Sequence, residues 1–179
     1  MSEELGSKYN SLAQKARVIT EDWMAEEGYC PSCLSRLVQT TANSKAVDFQ
    51  CLECTVQFQL KSTKSKIGKC VPDGAYQTML SAVRSDTCPA LVLMHYSNLE
   101  WTVRDLTIIP SFALTEQAII PRKPLSPTAR RAGWIGCNID LTKIAPQARV
   151  DVVKNGIVSP QNVALRQVCR EICLILSQR

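Results

Sequence analysis

The chain has one histidine, seven glycines, and aromatic side chains at only 6% of its 179 residues. It has no internal repeat and no apolar stretch near the roughly 18 residues that a membrane-crossing helix needs. Its first residues, Met1 to Lys8, lack the basic segment and following apolar run of a secretory signal. These absences exclude membrane-embedded and fibrous classes and predict a soluble cytoplasmic protein with no membrane partner. The single histidine, His95, lies in an apolar run and reads as a satisfied core residue rather than a general base. With 45% hydrophobic and 21% charged residues, the composition is that of one compact domain over residues 1–179. A domain of that length is stable without crosslinks.

Cysteine is the exception to this sparseness. Nine cysteines are present, an odd count that argues against a complete disulfide framework and, in a reducing compartment, for metal binding. The net charge of +5 is modest, but it is unevenly placed. Lys61, Lys64, Lys66 and Lys69 fall in one segment without an acid, and Arg122, Lys123, Arg130 and Arg131 in another. Two such runs fit a localised surface for a polyanion, or two solvated loops.

Residues 8–27 carry Tyr9, Leu12, Ala13, Ala16, Ile19 and Trp23 at helical spacing, and Gly28 ends that helix. Residues 45–50 and 55–62 alternate as two strands, with Asp48, Gln59 and Lys61 on the polar face. Residues 64–73 read as a polar loop and 74–84 as a short helix. Strands are expected at 90–96, 101–109, 118–120 and 148–153, and an ordered irregular segment at 121–138. Ser159 and Pro160 open an amphipathic closing helix that includes Cys169 and Cys173. Mixed elements in this order predict an α/β domain with a central mixed sheet flanked by helices.

Cys30-Pro-Ser-Cys33 and Cys51-Leu-Glu-Cys54 are two CxxC pairs separated by 17 residues. Two such turns facing each other make a four-thiolate cage suited to structural Zn²⁺. Disulfides, an iron–sulfur cluster or unrelated buried thiols are the alternatives. The second pair lies in the turn of the strand hairpin, so a metal there would pin Asp48 opposite Gln59 and Lys61. A carboxylate followed by an acid or amide, a hydrophobe and a lysine is the layout of a PD-(D/E)XK nuclease core. Such a core holds Mg²⁺ against a scissile phosphate and uses the lysine on the attacking water or the transition state. The same pattern also occurs as an ordinary polar strand face.

Longer segments narrow these alternatives. Residues 14–23 (QKARVITEDW), Tyr29–Cys33, Val47–Cys51, Phe58–Ser62, Asp73–Tyr76 and above all residues 122–141 (RKPLSPTARRAGWIGCNIDL) closely resemble the catalytic domain of the DpnI restriction endonuclease family. The resemblance runs from about Tyr9 to Ile157. It implies a restriction-endonuclease-like PD-(D/E)XK core with an inserted four-cysteine zinc site at about 30–54. It further implies Mg²⁺-dependent cleavage of double-stranded DNA at GATC with a methylated adenine. Matched by motif, Asp48 would be the metal carboxylate, Lys61 the catalytic lysine, and Gln59 the second Mg²⁺ ligand. Glu21 resembles an acid that the wider superfamily places near the metal.

Two departures stand out. Gln59 replaces the family's glutamate, which removes one negative charge; an impaired enzyme that still binds modified DNA is the alternative this raises. The 179 residues are expected to hold the catalytic domain alone, as a monomer, without the family's C-terminal winged helix. Within the long matching segment, Arg122, Lys123, Arg130, Arg131 and Asn138 are candidate DNA contacts, with Gly133 and Gly136 allowing close backbone approach. Trp134 is a candidate surface for the adenine methyl group, or else a core anchor. Lys64, Lys66 and Lys69 would grip the DNA backbone.

Overall fold

The computed structural model describes residues 1–33, 35–41 and 47–158. The expected closing helix, with Cys169 and Cys173, lies outside the described residues, as do the first two positions of the strand expected at 45–50. Helix α1 (Leu12–Glu27) leads to strands β1 (Leu37–Gln39), β2 (Phe49–Cys51) and β3 (Gln57–Thr63). Strand β4 (Cys70–Ala75) runs directly into helix α2 (Tyr76–Val83). There follow β5 (Ala90–Ser97), β6 (Thr102–Ile109), β7 (Ile119–Pro121), β8 (Gly136–Asp140), β9 (Val150–Lys154) and β10 (Ile157–Val158).

Among the described residues, seven strands form one sheet in the order β1-β2-β3-β5-β6-β9-β10, and three form a second in the order β4-β8-β7. The β3–β5 pairing is parallel and all others are antiparallel, which makes the large sheet mixed, as expected. β5 is a central strand with both faces covered, and so its sequence, Ala-Leu-Val-Leu-Met, is apolar without alternation. On one face Val92 and Met94 pack with Phe49, Phe58 and Met24 of α1. On the other, Leu91 and Leu93 pack with Met79 of α2 and with Ile119, Cys137 and Ile139 of the small sheet. The large sheet is therefore the middle layer, and the β4-β8-β7 sheet with α2 is its cover on one side.

Three expectations from the sequence need correction. The polar loop at 64–73 includes strand residues: Cys70 to Asp73 pair with β8. Local alternation is weak there, with Pro72 and Gly74 in the run, and the strand exists because a distant partner supplies its hydrogen bonds. The ordered segment at 121–138 is bounded by strands rather than wholly irregular. The helix stripe does not start where its periodicity does. Tyr9 precedes α1, and Leu12 is 81% exposed at its first position, whereas Ile19 and Met24 are buried. Leu12 overhangs a cleft instead of the sheet.

Phe58 is fully buried in the centre of the larger core. Phe58→Ala is expected to cost about 3–5 kcal/mol by loss of transfer energy and by the cavity left. A lowered urea midpoint with unchanged zinc content would be the expected result.

Candidate active site and metal centre

The two CxxC pairs meet. The four Sγ atoms of Cys30, Cys33, Cys51 and Cys54 lie within 4.8 Å of one another. Cys33 and Cys51 are 3.3 Å apart, Cys30 and Cys54 3.4 Å, and Cys33 and Cys54 3.6 Å. These separations are far above the roughly 2.05 Å of a disulfide. They suit a tetrahedral cage with Zn–S bonds of about 2.3 Å. Each pair also forms a turn whose backbone N–H groups point at its first sulfur: Ser32 and Cys33 toward Cys30, and Glu53 and Cys54 toward Cys51. Burial raises the Cys30 thiol above its ordinary range despite these donors. Burial also opposes ionisation at Cys51, but there the donors prevail and the thiol is lowered to about 7. The donor set is therefore compatible with a structural zinc, with no open position for water.

The cluster fixes the hairpin. Cys51 ends β2, Cys54 lies in the turn, and Thr55 takes a left-handed conformation (φ 59°) to send the chain into β3. With Phe49 opposite Phe58, Asp48 falls just beyond β2. Its backbone N–H donates to the Phe58 carbonyl at 2.9 Å, and its Oδ2 accepts from the Leu60 N–H at 2.8 Å. The carboxylate thus caps the end of the β2–β3 ladder rather than projecting from the sheet face that strand alternation predicts for it.

Gln59 and Lys61 occupy the face of β3 opposite Phe58. Glu21, Asp48, Gln59 and Lys61 all line one cleft of about 890 Å³, together with Thr20, Lys64 and Lys66. Gln59 is only 7% exposed, and its Oε1 is buried with no hydrogen-bond partner. Glu21 comes from α1, where Arg17 Nε donates to Oε1 at 2.6 Å and Gln39 Nε2 to Oε2 at 2.9 Å. The Arg17 guanidinium is raised above its ordinary value, first by its bond to Glu21 and last by the charge of Asp48. Arg17 therefore stands beside the four expected residues, and no feature of the sequence singles it out.

A second residue missed as a site candidate is Asp73. Lys61 Nζ donates to its Oδ1 at 2.5 Å, the Gly74 N–H at 2.7 Å, and Gln59 Nε2 more weakly at 3.5 Å. Asp73 Oδ2 is buried and unpartnered. Burial, and next the charge of Asp73, push the adjacent Cys137 thiol up to about 11. Sequence pattern leaves Asp73 in a loop because its strand partner, Cys137 on β8, is far away along the chain. His95 donates or accepts at 2.7 Å with Asp105 and does not line the cleft, in keeping with a satisfied side chain.

The other basic candidates are distributed around this centre. Lys64 and Lys66 border the cleft, while Lys69 is exposed just before β4. The segment 122–135 links β7 to β8 and is closed on itself by backbone bonds from Arg122 to Gly136, Leu125 to Trp134 and Gly133 to Leu125. Arg122, Lys123, Arg130 and Arg131 lie on it. Arg130 and Arg131 flank a second cavity with Leu125, so they are not in the cleft itself. Arg131 lies over the Trp134 ring at 4.5 Å. Asn138 is part of β8, between Pro72 and Ile120. Gly136 has a packing role: a Cβ there would come within 2.8 Å of the Trp134 indole. Its backbone is thus covered by that ring, contrary to the open approach expected from sequence. Gly133 takes a left-handed conformation (φ 75°) that closes the segment.

Metal analysis of the purified chain is expected to give about one zinc per molecule. Cys51→Ser with Cys54→Ser should abolish it and lower the melting temperature, because the hairpin loses its crosslink. Retention of zinc by that double variant would refute the assignment of the cage.

Among the described residues no helix is long and apolar enough to cross a membrane. The model of the Dam-replacing family, DpnI, matches residues 1–175 of the 179, and this chain belongs to that family.

Proposed function

We propose that the protein is a Mg²⁺-dependent restriction endonuclease that cleaves double-stranded DNA at GATC sites whose adenine carries a methyl group on its exocyclic amine. The family supports a DNA endonuclease. The observation that carries the reading is the convergence of Asp48, Gln59 and Lys61 on one cleft, with the Gln59 Oε1 buried and unpartnered. An oxygen of that kind, beside a carboxylate, fits a hard divalent cation. Bound there, Mg²⁺ supplies a water of lowered pKa and neutralises charge on the phosphate.

The chain's own residues then have separable tasks. Asp48 and Gln59 hold the cation. Lys61, anchored at one end by Asp73, keeps its remaining N–H groups for the attacking water or the phosphate oxygens. Glu21, with Arg17 and Gln39 on its oxygens, orders the α1 side of the cleft. Lys64, Lys66 and Lys69 bind the DNA backbone without reading sequence. Arg122, Lys123, Arg130, Arg131 and Asn138 position the duplex or read base edges, guanine by arginine in particular. Arg131 covers one face of Trp134 and the ring's outer carbons pack on Gly136, so only the part of the indole left by both is offered to the adenine methyl. The working unit is one domain, a monomer, in the cytoplasm.

A second reading is favoured by Gln59 itself. A neutral ligand weakens a hard-cation site, so the protein would bind methylated DNA without cutting it. Incubation of the chain and Mg²⁺ with methylated and unmethylated GATC plasmid separates the two. The enzyme is expected to cut only the methylated plasmid. Binding without cutting, with cutting acquired by Gln59→Glu, would establish the second reading, and indifference to methylation would overturn the specificity.

Lys61→Ala is expected to slow cleavage by about 10² to 10³-fold with DNA affinity measured in Ca²⁺ little altered. Arg130→Ala and Arg131→Ala should instead weaken DNA binding, by about tenfold or more where a bidentate base contact is lost. A fluorescence-anisotropy titration with methylated and unmethylated duplexes tells base readers from phosphate contacts, because only loss of a base reader narrows the preference.

A further inference from the structure

Gln59 leaves the cleft one negative charge short of what two acidic ligands would provide, and the structure contains an acid that none of the assigned roles uses as such. Asp73 arrives from β4 of the small sheet, not from the hairpin. Its side chain is 4% exposed. Lys61 Nζ, the Gly74 N–H and Gln59 Nε2 all converge on Oδ1, whereas Oδ2 has no partner.

Two consequences follow from elementary hydrogen-bond chemistry. The Gln59 amide turns its NH₂ toward Asp73 Oδ1 on β4, and a carboxylate oxygen in that position accepts, so the amide oxygen faces away. That oxygen is the buried, unpartnered Oε1. The unpartnered acceptors at this centre are thus two oxygens on side chains already in contact, and buried acceptors without donors are costly. A cation in the cleft would satisfy Gln59 Oε1, while Asp73 itself lies behind the cleft lining.

The local charges agree. Lys61 is paired with Asp73, Glu21 is engaged by Arg17 and Gln59 is neutral, so the Asp48 charge is left for a divalent ion, and without Asp73 the Lys61 ammonium would offset it.

We propose that Asp73 is a positioning residue for the cation site: by accepting from the Gln59 amide and the Lys61 ammonium it leaves Gln59 Oε1 to face the ion and keeps Lys61 from neutralising Asp48. The inference rests on the nuclease reading above and adds to it a residue outside the hairpin.

The test is Mn²⁺ affinity of the zinc-loaded chain, read by the electron paramagnetic resonance of free Mn²⁺, with no cleavage required. Asp73→Asn is expected to weaken Mn²⁺ binding about tenfold or more while zinc content stays at the wild-type value. The measurement is repeated for Gln59→Glu against Gln59→Glu with Asp73→Asn, where the carboxylate–amide bond survives with its direction reversed and so preserves the fold. The same loss is expected there. Equal Mn²⁺ affinity within either pair would overturn the role of Asp73 and leave the nuclease reading standing. A wild-type chain that takes up no Mn²⁺ and cuts no DNA would overturn both.

Discussion

The four-cysteine knot at the base of the β2–β3 hairpin is the constraint on which the cleft depends. A two-stranded hairpin is at best marginally stable alone. β2 is three residues long, too short to hold its register by ladder bonds. The Cys51 and Cys54 turn holds it at one end, and the buried Phe49–Phe58 pair holds it in the middle. Register matters because a slip of one residue would send every side chain to the opposite face. In the observed register the Asp48 carboxylate reaches the Leu60 N–H, and Gln59 and Lys61 enter the cleft. A closed thiolate site thus has no chemistry of its own but determines where Asp48, Gln59 and Lys61 stand.

The second constraint is the way a polar centre is tolerated inside a layered core. β3 lies between β2 and β5, and its Gln59 is buried beside Phe58. Such a position demands partners. Most of them come from β4: Asp73 takes the Lys61 ammonium and the Gln59 amide. β4 in turn is zipped to β8, which begins where the basic segment 122–135 ends. The surface with which we expect the protein to read DNA is therefore connected by one strand pair to the centre with which we expect it to cut.

Much of this is legible in the linear chain. The CxxC spacing predicts the cage, because metal ligation by short turns is a local property. Strand period and apolar runs place β3, β5 and β6 and the helix over most of 12–27, since burial of a face imprints itself on neighbouring residues. The grouping of Asp48, Gln59 and Lys61 is also readable, because all three belong to one hairpin. Asp73 is not. Neither is the strand around it, nor the packing of Trp134 on Gly136 that replaces an expected open backbone.

The sequence by itself determined which thiols could share a metal and which residues of one hairpin could share a cleft, since both depend on separations of a few residues. Only the tertiary structure decided that Asp73 meets Lys61 and Gln59, that Glu21 is held by Arg17 and Gln39, and that Asp48 caps a ladder rather than projecting from a sheet face. Those outcomes depend on how side chains and segments meet in three dimensions. Which distant backbone supplies a strand's hydrogen bonds, and which buried charge finds which partner, is set by the packing of layers and leaves no periodic mark on the residues involved.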